Sequence, residues 1–248
     1  MMQELNITPP YGYDEITPLQ KSHRVLLQPG KTPGFCRTIN ALAVSYSEFA
    51  AASRHYPIVF ISGDGGSTFV PAVVLGLASR QNLFVTFQGE WDPSCYVPAY
   101  VRRYPFCISK LYVKGLPRGE RMVCVAKANV NEDGAALFDA SGSPTREWAP
   151  IEQLLNEYEA DLDLTARMCA TFARLGLFSP FQFQVIEPAS PQPKLDGMYR
   201  IDQAKLLALK PLSMKVLVTQ GFMGHIYAHF HSLDNFAQLY RRAVDKTT

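Results

Sequence analysis

Near residue 146 the spacing of apolar residues changes, and no other feature of the chain constrains its fold as strongly. Downstream, in REWAPIEQLLNEYEADL, the residues Trp148, Ile151, Leu155, Tyr158 and Leu162 recur at steps of three and four. That spacing puts one apolar stripe on a helix. LTARMCATFARLGLF carries it on through Leu164, Met168, Phe172 and Leu175, with Gly176 placed as a C-cap. EADLD between them reads as the solvated side of a helix or as a helix junction. Upstream, apolar residues come in short runs between Gly, Pro, Asn and Asp, the mark of strands. ALAVS, IVFI, FVPAVVLGL and NLFVTF (residues 82–87) are such runs. ISKLYVKG and RMVCVAKA flank the turn GLPRGE as a hairpin. The expectation is an α+β fold: a mostly antiparallel sheet from the N-terminal half packed with helices from the C-terminal half. It would form one compact domain over residues 1–248, with a subdivision into a β-rich 1–145 and a helical 146–248 left open.

Local signals refine this. Ser45 and Glu48 have capping-box spacing at the start of SYSEFAAASRH, and Pro57 ends that helix. SGDGGST leads through Gly63, Gly65 and Gly66 into a β-rich run with Pro71. A phosphate loop would need Lys-Ser/Thr after its last glycine, or G-x-G-x-x-G opening a helix, so a hairpin is expected instead. After the long helix, FQFQVI reads as a strand and EPASPQPKLDG as a loop that could serve as linker or lid. MYRIDQAKLLAL reads as a strand entering a helix capped by Asp202, and GHIYAHFHSLDNFAQLYRRA as the last helix.

With 47% hydrophobic and 19% charged residues, the chain is of ordinary globular composition. Its formal net charge of +2 gives no global reason to expect nucleic acid or an anionic membrane, so any anion site must be local. The segment MMQELNITPPYGYDEITPL lacks the basic region and apolar run of a secretory signal. No run approaches the roughly 18 apolar residues of a membrane span. The expectation is a cytoplasmic protein without direct membrane insertion. Five cysteines, an odd number with no C-x-x-C spacing, argue against a disulfide framework or a structural zinc site.

EWDPSCYVPAYVRRYPF (residues 90–106) concentrates rings, prolines and two adjacent arginines. Pro98 suits the first turn of a helix and Pro105 stops it, which predicts a short helix over residues 97–103. On it Tyr96, Tyr100 and Arg103 share a face, while Arg102 points about 100° away from Arg103. One arginine can face inward and the other stay wet. Rings that stack and an arginine fork that holds a carboxylate or phosphate would make Trp91, Tyr96, Tyr100, Arg102 and Arg103 a ligand- or partner-binding site. The same residues would also serve as a packed core helix or as protein-interface anchors. Cys95 is the cysteine beside this segment.

His225, His229 and His231 raise the question of a metal. On a continuous helix His229 and His231 lie about 160° apart, so one ion cannot take all three. His229 sits in the apolar stripe of Phe222, Ile226, Leu233 and Tyr240, where a buried, hydrogen-bonded histidine is the plain reading. No metal or other cofactor is expected. There is no G-x-S-x-G and no defined catalytic set. An enzyme acting on a small molecule or peptide remains the alternative, with a site joining residues 91–104 to His229.

The stretches PLQKSHR, SEFAAASRHYPIVF, GEWDPSCYVPAYVRRYPF and GMYRIDQAKLLAL...GHIYAHFHSL together resemble the SapC family of bacterial proteins. The resemblance is ordered along nearly the whole chain. It implies an accessory role in the biology of surface layers, from whose locus the family is named. It also implies work beside outer-membrane receptors and flavin-dependent halogenase-like proteins. It supplies no reaction and no catalytic residues. The expectation is therefore a SapC-like accessory or binding protein holding an anionic, partly aromatic small ligand or a protein partner.

Overall fold

A computed structural model describes residues 8–113, 116–184 and 194–246. In chain order the early elements are β1 (Ile16–Pro18), β2 (Arg24–Val25), β3 (Ala41–Ala43), α1 (Phe49–Ala52), β4 (Ile58–Ile61), β5 (Val70–Val74) and α2 (Ala99–Arg102). Then come β6 (Phe106–Val113), β7 (Leu116–Ala126), β8 (Ala135–Ala136), α3 (Trp148–Arg174), β9 (Phe178–Gln184) and β10 (Lys194–Ile201). Four helices close the chain: α4 (Gln203–Leu207), α5 (Pro211–Thr219), α6 (Met223–Ser232) and α7 (Asn235–Asp245). The class is α+β as expected, with antiparallel sheets built mainly from the first half and helices mainly from the second. Two compact units divide it: Met1–Pro33 with Val101–Glu159, and Gly34–Tyr100 with Ala160–Thr248.

In the first unit the order is β1-β7-β6, all antiparallel. Phe106 faces Val125 and Cys107 faces Cys124 across the hairpin. Pro18 is tolerated on β1 because bonds between the two segments fall on residues to either side of it: Leu19 donates to the Val123 carbonyl, and Lys127 to that of Glu15. The hairpin expected around GLPRGE exists, but β7 already begins at Leu116, so most of the expected turn is strand; residues 114–115 lie outside the described residues. The core gathers Val25, Phe106, Val125, Leu137, Trp148 and Leu155, all buried. Trp148 meets Phe106 edge to face at 5.5 Å.

In the second unit five strands run β3-β5-β4-β10-β9. The β4–β5 hairpin pairs Ile58 with Val73 and Phe60 with Pro71. Its loop closes on Asp64, whose carboxylate accepts from the backbone N–H of Ser67 and Thr68 and from the hydroxyls of Ser62 and Thr68. These bonds, that from Thr68 foremost, hold the Asp64 carboxyl well below the usual range. N–H groups that a phosphate loop would offer to a ligand are here turned in on Asp64. The turn needs φ of +72° at Gly65 and +103° at Gly66, a region that favours glycine.

Two expectations change, and one open alternative is settled. NLFVTF does not form a strand: Asn82 donates to the Cys36 carbonyl and accepts from the Phe84 N–H, and the chain turns at Gly89. Only Val85 keeps a bridge, to Trp91, and Phe87 is 96% exposed. The EADLD stretch is the solvated side of a helix and not a junction: α3 passes through it unbroken to Arg174 and is capped at Gly176 (φ +66°), where Leu177 N–H reaches back to the Phe172 carbonyl. The last helix is two. Polar side chains at the break bond elsewhere: Ser232 accepts from Ile58 N–H, and Asn235 donates to the carbonyls of Ser53 and Tyr56. Of the EPASPQPKLDG loop, residues 187–193 lie outside the described residues, and β10 begins at Lys194.

Candidate functional site

The ring- and arginine-rich segment passes from the second unit into the first at Val101. Its helix is α2, shorter than the span expected from the prolines. Trp91, Tyr96 and Tyr100 belong to the second unit; Arg102 and Arg103 belong to the first.

Within the second unit three groups fix residues 91–100. Tyr56 comes from the turn after α1; its hydroxyl accepts the indole N–H of buried Trp91 at 3.0 Å and donates to the Tyr96 carbonyl. Burial raises the Tyr56 pKa, so the phenol stays protonated. Glu48, nine-tenths and more buried, is the second anchor. One carboxylate oxygen accepts from Ser45 N–H and hydroxyl at 2.8 Å each, which is the expected capping interaction. The other accepts from the Tyr96 hydroxyl at 3.1 Å and the Ala99 N–H at 2.7 Å. Tyr100 meets Phe35 edge-on at 6.4 Å.

Arg242, on α7, is the third anchor. Its guanidinium lies 4.5 Å over the Phe84 ring, against which Tyr56 packs edge to face at 4.6 Å. Nη1 donates to Asp92 at 2.9 Å, and Nη2 to the Cys95 sulfur at 3.4 Å. The Arg242 side chain is one-third exposed, at 33%. The Ser94 hydroxyl, its N–H and Arg242 hold Asp92 at a pKa of about 2 against the opposing effect of burial. Burial raises the Cys95 thiol, with Ser94 and Arg242 pulling the other way. The thiol is thus a neutral, weak acceptor for a strong donor. Lys246, one turn on, donates to the Val85 carbonyl at 2.8 Å.

Sequence reasoning did not single out Arg242. A signal for it exists: Phe236, Leu239, Arg242 and Lys246 follow at steps of three and four, so two cations continue an apolar stripe. Asp92 and Tyr56 gave no comparable sign, since only the long-range fold brings them to Arg242.

In the first unit the two arginines divide as the helical arithmetic allowed. Arg102 is exposed, whereas Arg103 is 6% exposed with its guanidinium 4.7 Å over the Tyr158 ring. His229 is fully buried; its Nε2 accepts from Ile201 N–H at 3.1 Å, and its Nδ1 donates to the Ile58 carbonyl at 2.8 Å. Both ring nitrogens are committed to tying α6 to β10 and β4, which leaves neither for a substrate. Burial lowers its pKa to about 4. His225 stacks on Tyr46 at 3.8 Å, with Nε2 3.1 Å from the Tyr46 carbonyl. Among the described residues, no three His, Cys, Asp or Glu side chains come together as a metal site, and no helix is long and apolar enough to cross a membrane.

A family model described as SapC matches residues 20–239. No curated protein and no solved structure matches the chain.

Proposed function

The chain belongs to the SapC family, and we propose that it is a binding or accessory protein that holds an anionic, partly aromatic group, carried by a small molecule or a protein partner. The observation that carries this reading is Arg242: a partly exposed guanidinium, clamped over Phe84, that spends an N–H on a thiol sulfur. A carboxylate or phosphate oxygen is a far stronger acceptor than a thiol, and would take that N–H without moving the arginine. Phe84 holds the arginine, and Tyr56 and Glu48 hold the 91–100 segment, so little ordering remains to oppose binding, while Asp92 is the carboxylate already on the arginine with which an incoming anion competes. Tyr96 and Tyr100, half-buried in the same unit, supply ring edges along that segment. Arg102, exposed in the other unit, is a separate anion contact within the same reading.

Thermal unfolding in the presence of phenyl phosphate and of benzoate tests it. Both probes raise the melting temperature of the wild-type chain. Arg242→Gln removes most of the shift, and Arg102→Ala reduces it independently. If Arg242→Gln keeps the full shift while folded, Arg242 is not the site; if Arg102→Ala does, Arg102 is not a contact.

A further inference from the structure

The helix α5 has an outward face of unusual composition. Leu212, Lys215 and Val218 follow at steps of three, and all three are exposed, Leu212 at 77% and Val218 at 61%. Steps of three place them along one side of a helix. Leu207, in the last turn of α4, is 74% exposed. A solvent-facing helical stripe is ordinarily polar; this one is aliphatic around a single lysine. Charge is as one-sided as hydropathy: between Asp202 and Asp234 there is no acidic residue, while Lys205, Lys210 and Lys215 lie in that interval. The Lys205 ammonium is engaged by the Phe178 carbonyl at 2.6 Å, which leaves Lys215 on the stripe and Lys210 at the N-cap of α5, both exposed, as the other cations of this interval.

We infer that α5, with the end of α4, is an interfacial element that adsorbs to an anionic lipid surface. Leu207, Leu212 and Val218 would enter the headgroup–acyl boundary, and Lys210 and Lys215 would meet lipid phosphates. Aliphatic side chains bordered by lysines and free of acids match the chemistry of such a surface. A protein partner fits less well, because the cores of protein interfaces are depleted in lysine and enriched in aromatic residues and arginine, which this face lacks. A second copy of the chain fits less well again, since an isologous contact would bring Lys215 and Lys210 against their own equivalents. The net charge of +2 conceals this local bias. Adsorption is independent of Arg242, so the two readings fail separately.

Co-sedimentation of the full chain with phosphatidylcholine vesicles, with and without phosphatidylglycerol, tests the inference. Binding is expected only with phosphatidylglycerol, and it weakens as salt shortens the screening length to about 3 Å at 1 M. Lys210→Glu and Lys215→Glu each weaken it at least roughly fivefold, the factor that about 1 kcal/mol per charge corresponds to. The exposed substitutions Leu212→Ser and Val218→Ser also reduce it, with unchanged circular dichroism and melting temperature as the check on folding. Three results would overturn it: no binding to phosphatidylglycerol vesicles, binding unaffected by Leu212→Ser with Val218→Ser, or a dimer in light scattering that those substitutions dissociate.

Discussion

Glu48 shows how much can hang on one side chain. Four donors from Ser45, Tyr96 and Ala99 converge on its carboxylate, so Glu48→Gln would set an NH2 against donors in a buried place. A loss on the order of 2–4 kcal/mol is expected in urea denaturation. The Ser45–Glu48 capping spacing was legible in the sequence, because it is local. The second oxygen's partners, some fifty residues on, were not. His229 gives the pH dependence. Its pKa of about 4 lies below the ordinary value of 6.5, so the folded state refuses a proton that the unfolded chain accepts. The contribution is fully present above pH 6.5 and is lost as pH falls toward 4, on the order of 3 kcal/mol in all. The urea midpoint of the wild type should therefore drop between pH 7 and pH 4.5, and the slope should be shallower in His229→Gln.

At the scale of elements, period and turn chemistry carried most of the fold. The β4–β5 hairpin, the β6–β7 hairpin and α3 all follow from runs that are long or strongly periodic. NLFVTF failed because alternation over six residues cannot reveal that Asn82 bonds the backbone of Cys36. The α6–α7 break failed similarly: the apolar stripe continues across it, while Ser232 and Asn235 divert their hydrogen bonds to the turn and strand around Ser53, Tyr56 and Ile58. Close backbone approach is another feature invisible to periodicity. A Cβ on Gly134 would sit 2.4 Å from the Val25 carbonyl carbon, beside the β2–β8 pair. Gly134→Ala should cost upward of about 2 kcal/mol, since the obstacle is backbone and cannot rotate away. Thermal or urea unfolding followed by Trp148 emission would show it.

For the molecule as a whole, two compact units each carry one of the two tryptophans, Trp148 in the first and Trp91 in the second. The aromatic and arginine segment bridges the boundary in sequence, and its rings and arginines are correspondingly divided. Helical spacing allowed one arginine to be buried and the other wet; the structure makes Arg103 the buried one and Arg102 the wet one. It could not reveal Arg242, whose partners Asp92, Cys95 and Phe84 lie about 150 residues away in the chain. The central claim is that Arg242 is a prepared anion contact in which Asp92 is the resident competitor. Calorimetric titration of phenyl phosphate into the wild type, Asp92→Asn and Arg242→Gln tests it most directly. Saturable binding that tightens in Asp92→Asn and disappears in Arg242→Gln is the predicted result; no saturable binding in any of the three, or equal binding in all, would contradict it.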